Sequence, residues 1–192
     1  MGIAAEAARI IATEGQHNYH AAKKKAADRV GVSNRLALPS NIEVKDALYR
    51  YLDLYGGDAH DVNLLELRRT AVQAMRLLAK FNPRLVGSVL DGTAGRHTRI
   101  ALHVFAESSE EIVLFFREKG IPFSQEQRQI RWFNGEHRTL ELVLTELDGR
   151  TLELAVFEPV HLRQAPPSPI DGKPQRRAAL AEVELILEEP VA

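Results

Sequence analysis

Leu85-Val86-Gly87-Ser88-Val89-Leu90-Asp91-Gly92-Thr93-Ala94 is the stretch on which the reading of this chain turns. Upstream of it, apolar residues recur every three or four positions, as on one face of a helix; downstream they alternate, as on a strand. Arg84 to Val89 reads as a short strand running into a glycine-containing turn, and Arg99 to Ala106, rich in apolar and β-branched residues, as a second strand. Ser108-Ser109-Glu110-Glu111 caps a helix with the core face Ile112, Val113, Phe115 and Phe116, closed by Gly120. Three further strands are expected near Gln127–Trp132, His137–Glu146 and Thr151–Phe157, with Asn134-Gly135 and Asp148-Gly149 between them as hairpin signals.

Working back from Arg84, Asn82-Pro83 stops a long helix expected from about His60 to Lys80, on which Leu64, Leu67, Ala71, Met75 and Leu78 form the buried stripe. Before that, residues 1 to about 57 carry no strand-like alternation. Ala4–Ile11 is rich in good helix formers, with Gly15 beyond it. A second helix is expected over Tyr19–Val30, and Ser40-Asn41-Ile42-Glu43 spells a capping box before a third. At the other end, four prolines between Pro166 and Pro174 precede a last helix, Ala178 to Glu188. The expected organisation is a helical region over 1–57, an α/β core over 58–159, and a Pro-rich arm with a final helix over 160–192.

Composition narrows the chemistry. The chain has 192 residues, 45% hydrophobic and 27% charged, so about 70% of its unfolded surface can be buried and a disordered chain is excluded. It has no cysteine, which removes disulfide scaffolds, thiol nucleophiles and thiolate metal sites. A formal net charge of -1 leaves no bulk electrostatic hold on nucleic acid. Glu6 and Arg9 interrupt what would have to be the apolar core of a signal peptide, and no apolar run approaches the ~20 residues that cross a bilayer. The expected location is cytoplasmic, with no membrane contact.

The order helix, strand, Gly-Ser turn, second strand, helix and further strands, together with the spelling Leu85 to Ala94, resembles the nucleotidyltransferase (polymerase-β-like) superfamily, in particular its small bacterial members. The resemblance covers about Leu64 to Phe157. It implies an α+β fold in which a nucleotidyltransferase-like mixed sheet carries flanking helices beside the N-terminal helical region. It also implies that Gly87 lets the backbone approach a phosphate closely while Ser88 contributes its hydroxyl and amide. A little over ten residues on, the family places Asp-x-Asp at the start of the next strand, two carboxylates on one face that hold magnesium. Here the matching stretch is Thr98-Arg99-Ile100-Ala101-Leu102-His103, so Arg99 and Ala101 stand at the two aspartate positions. His103 follows on the same face, and Glu153 falls where the family places a third carboxylate.

Arginine at such a position repels a divalent cation, and its guanidinium can pair directly with phosphate instead. The resulting expectation is a degenerate family member, with no metal or other cofactor, binding a nucleotide or other anion in a regulatory or scaffolding role. Gly87, Ser88, Arg99, His103 and Glu153 would line the pocket. Two alternatives stand beside it: an active, magnesium-dependent transferase drawing on Asp91, Glu107 and Glu153 and acting on a small molecule, protein or RNA, and an interaction module with a vestigial pocket.

Each candidate also has a plainer reading. Gly87-Ser88 fits an ordinary strand exit, Arg99 an exposed residue paired with Glu107 or Asp91, His103 a satisfied core histidine, and Glu153 a cross-strand partner of Arg138. His17 and His20 have helical spacing but no third ligand nearby. Lys23, Lys24, Lys25 and Arg29, with Arg35, form a basic stretch open to a nucleic-acid or protein partner, or simply a solvated face. The cations Arg163, Lys173, Arg176 and Arg177 either fold across the sheet towards the pocket or belong to an arm that only docks the last helix.

Overall fold

A computed structural model describes residues 2–32 and 38–189. The expected Arg35 lies outside the described residues. Seven α-helices and one five-stranded mixed sheet are present among them, and the chain divides into two compact units.

The first unit holds residues 1–64, with the short segments 93–98 and 169–171. Three helices build it: α1 (Ile3–Glu14), α2 (Tyr19–Val30) and α3 (Asn41–Tyr55). Their core is made largely of alanine, with Ala7, Ala8, Ala22 and Ala26 fully buried around Ile10, Val44 and Leu48. Side chains this small let helix axes approach closely, so the unit is held by short contacts rather than bulky ones. The expected capping box forms: the Glu43 amide donates to Ser40 Oγ, while the Glu43 carboxylate accepts from the Ser40 amide. Asn18 caps α2 by accepting from the Ala21 amide. Glu6, buried on α1, accepts from Arg9 at 2.6 Å and from Arg29 of α2 at 3.3 Å.

The second unit holds residues 65–92, 99–168 and 172–192. The helix α4 (Gly57–Leu77) begins in the first unit and continues into the second, where Leu67, Ala71 and Met75 are buried as their spacing predicted. Leu64 is only half-buried. Next come β1 (Arg84–Val86), the one-turn helix α5 (Gly87–Asp91), β2 (Ile100–Phe105) and α6 (Ser109–Lys119). Strands β3 (Ser124–Arg131), β4 (His137–Leu147) and β5 (Arg150–Phe157) follow, and α7 (Leu180–Glu188) ends the described chain. The sheet order is β1-β2-β5-β4-β3, antiparallel except for the central β2–β5 pair. That parallel pair is mostly buried and mostly apolar, with His103 and Glu153 as its buried polar residues. Between β4 and β5, Asp148 and Gly149 both take positive φ, 51° and 72°, the backbone that a two-residue hairpin turn requires.

Several local expectations need correction. Ala178 precedes the last helix, and Ser108 makes no side-chain cap bond. The largest change is in the first strand. The sequence reads as a strand from Arg84 to Val89, but the strand ends at Val86. Gly87, at φ 73°, turns the chain into α5, and Val89 and Leu90 are buried from a helix. Arg68 of α4 donates to the Val89 and Leu90 carbonyls at 2.9 and 2.8 Å, which supplies partners to the open end of this single turn.

The two margins of the sheet differ. Beyond β1, Leu85 and Ala178 exchange backbone hydrogen bonds of 2.8 and 2.9 Å, so a residue of the C-terminal arm closes that edge. Beyond β3 no strand follows among the described residues, and β3 is exposed along nearly its whole length.

Candidate functional site

The site candidates converge in part. Ala101 lies opposite Val86 of β1 on one side and opposite Glu153 of β5 on the other. A Cβ built on Gly87 would meet the Ala101 methyl at 3.9 Å, ordinary contact, so the constraint at Gly87 is its positive φ rather than space. The first turn of α5, the start of β2 and Glu153 are therefore neighbours across three strands. Ser88 is half-buried in that turn.

Glu153 is buried, yet it is charged and fully engaged. Arg128 of β3 grips it with both guanidinium ends, Nη1 to Oε1 at 2.7 Å and Nη2 to Oε2 at 2.9 Å. Arg99 Nη1 adds a bond to Oε2 at 3.2 Å and reaches Glu126 of β3 at 3.3 Å. Burial acts to raise the Glu153 pKa, but the hydrogen bonds and charge of Arg128, joined by those of Arg99, outweigh it and hold the carboxyl below its ordinary range. The two guanidiniums lie at the rim, with side chains 41% and 49% exposed. Two arginines and two glutamates thus make a cluster of zero formal charge.

Arg99 therefore has neither of its expected partners, Glu107 or Asp91, and Glu153 has Arg128 instead of Arg138. Arg138 stacks over the Trp132 ring at 4.0 Å. Arg128 and Glu126 were missed because β3 has no apolar alternation to mark its faces; the available signal was their spacing of two residues, which puts both on one side of a strand.

His103 shares this sheet face but belongs to a different neighbourhood. Its ring lies 4.5 Å from that of Phe157, and its Nδ1 accepts from Arg177 Nε at 2.9 Å, so Nε2 carries the proton of the neutral ring. Burial, then the Arg177 charge, pushes its pKa down to about 3. Arg177 Nη1 donates to the His161 carbonyl at 2.6 Å, and the guanidinium sits 5.0 Å from the rings of both Phe105 and Phe157. Its Nη2 is buried with no hydrogen-bond partner among the described residues. Burial, then the neighbouring Arg84 charge, lowers the Arg177 pKa to about 10. Of the arm cations, Arg177 does reach the sheet, but it meets His103 and not Arg99. Arg176 pairs with Glu182.

A magnesium site does not fit these residues. No group of three or more potential metal-ligating side chains occurs among the described residues. Both oxygens of Glu153 are already occupied by arginine. The carboxylates invoked for an active transferase also do not gather: Glu107 follows the end of β2, whereas Glu153 lies opposite its second residue. The distance along the strand is on the order of 20 Å. His17 and His20 likewise form no ligand cluster.

A cavity of about 580 Å³ opens near the far end of β2, between Phe81, Phe105, Phe115 and Leu162, with Lys80, Glu107, Glu111 and Glu118 around it. None of Gly87, Ser88, Arg99, His103 or Glu153 lines it.

Two cations of the basic stretch of the first unit share one carboxylate. Lys25 and Arg29 each bond Glu14 at 2.6 Å, and burial notwithstanding, those hydrogen bonds bring the Glu14 pKa down to about 2. Lys23 donates to the Pro39 carbonyl, and Lys24, like Lys25 and Arg29, is exposed.

No helix among the described residues is long and apolar enough to cross a membrane. Compared with family models, with curated proteins and with solved structures, the chain has no match.

Proposed function

We propose that this chain has a nucleotidyltransferase-like core from which the metal-binding carboxylate pair is gone, and that it binds a nucleotide or another anionic ligand at the start of β2 in a regulatory or scaffolding role. The observation that carries the reading is the Glu153 cluster. The one carboxylate facing Ala101 is held by two arginines, where a magnesium-dependent site needs free anionic oxygens. The topology supports the fold part of the reading: a Gly-Ser turn between antiparallel β1 and β2, and a parallel β5 that sets Glu153 beside Ala101.

In this reading Arg99 is the ligand-facing cation. It spends only Nη1 on Glu126 and Glu153, at 3.3 and 3.2 Å, longer than the bonds Arg128 makes. A phosphate competes with those two long contacts, while Arg128 keeps Glu153 neutralised. His103 takes no part, because its ring is buried and its acceptor nitrogen is used by Arg177.

Thermal-shift titration with ATP, GTP, CTP and UTP, each with magnesium and with EDTA, tests this. The expected result is stabilisation that survives EDTA and disappears in Arg99→Ala, because a ligand bound only to the folded state raises its melting temperature by mass action. Stabilisation that requires magnesium, or release of pyrophosphate, would favour the transferase; no response to any nucleotide would favour the interaction module.

A further inference from the structure

We infer that two copies of this chain associate edge to edge through β3, joining their sheets into one. The starting point is the difference between the sheet margins. Leu85 has both backbone groups satisfied by Ala178, so β1 cannot receive another strand there. The opposite margin is eight residues of β3, about 27 Å of edge at ~3.4 Å per residue, with no proline or glycine to spoil pairing.

The phase of the ladder shows which groups face outwards. Trp132 N–H donates to the Glu136 carbonyl at 2.8 Å, just beyond the Arg131–His137 pair that ends the β3–β4 register. Hydrogen-bonded pairs alternate with non-bonded ones in an antiparallel ladder, so the even-numbered residues of β3 bond to β4. Gln125, Gln127 and Gln129 therefore present their N–H and C=O groups to the free edge.

Charged side chains usually protect an exposed edge. Here they select a partner. Gln125-Glu126-Gln127-Arg128-Gln129, read backwards, differs only by exchanging Glu for Arg. Antiparallel pairing centred on Gln127 sets Gln127 against itself and Gln125 against Gln129, about six backbone hydrogen bonds between outward-facing groups. It also sets each Glu126 opposite the second copy's Arg128 at the narrow, non-bonded positions, where cross-strand side chains come closest. Sliding the register by two residues opposes Glu126 to Glu126 or Arg128 to Arg128. Sliding it by one opposes outward amides to inward ones. The match thus occurs in one register; Glu126 is 45% exposed, and Arg128, 49% exposed, meets it with the solvent-facing part of a guanidinium whose Nη1 and Nη2 stay on Glu153.

Sedimentation velocity of the full chain across micromolar concentrations decides the matter. The expected result is a reversible monomer–dimer equilibrium that weakens with salt. Gln127→Pro should abolish the dimer while keeping the wild-type melting curve, since the lost N–H faces away from β4. Should that variant fail to fold, Glu126→Arg serves instead, and is expected to weaken association by about tenfold, because it places arginine opposite arginine twice. A chain that stays monomeric throughout, or a dimer untouched by the variant, overturns the inference.

Discussion

Glu153 and Arg177 bring charge to the same face of one sheet, two strand positions apart, and the sheet treats them in opposite ways. Glu153 receives three bonds from two guanidiniums and lies below its usual pKa. Arg177 receives no carboxylate; a neutral imidazole, a carbonyl and two phenyl rings hold it, and its pKa falls to about 10. Both arrangements keep a charge out of bulk water. Only the first returns the cost of desolvation as an ion pair; the second spreads it over weaker polar and aromatic contacts. A matched cluster can exchange one member for an external anion, whereas the Arg177 niche acts as a latch that ties the C-terminal arm to the sheet.

The contrast can be broken at its strongest point first. Glu153→Gln leaves Arg128 and Arg99 facing each other without their shared acid, and should cost about 2 to 3 kcal/mol in urea unfolding, the buried-pair figure reduced because both guanidiniums reach solvent. Next is pH. His103 stays neutral in the fold down to about pH 3 but takes up a proton near pH 6.5 when unfolded. Its contribution is therefore complete above pH 6.5 and is lost as pH falls towards 3. Between pH 6.5 and 4.5 the loss should reach about 2 kcal/mol, and His103→Gln should flatten that slope.

Smaller effects sharpen the comparison. Arg177→Met keeps the apolar contact with Phe105 and Phe157 but strands the Nδ1 acceptor of His103, and should cost about 1 kcal/mol. Adding His103→Leu should recover most of that loss, a coupling that a double-mutant cycle measures directly. Arg99→Ala should cost least, about 0.5 kcal/mol, because its two bonds are long and solvent-screened.

Much of the fold was legible from sequence because its signals are local. Tyr19–Val30 matched its helix, Ser40 to Glu43 formed the capping box, and Asp148-Gly149 placed a hairpin turn where both residues have positive φ. The misread stretch, Gly87 to Val89, is too short to show either a strand or a helical period; the backbone at Gly87 decided it. The site was harder. Arg99, Glu153 and the Gly87 turn were set side by side only by the resemblance to the nucleotidyltransferase pattern, and Arg128 comes from a strand whose placement depends on sheet order. His103 was separated from the others by Arg177, a residue 74 positions further along the chain. Short-range periodicity carries no information about such meetings.

The backbone exchange between Leu85 and Ala178 has a temporal consequence. During synthesis β1 and β2 leave the ribosome long before the residue that seals their margin, so throughout that interval the nascent sheet has two sticky borders instead of one. Any truncation that stops short of Ala178 would make this condition permanent, and such fragments should clump even though every strand of the sheet is intact.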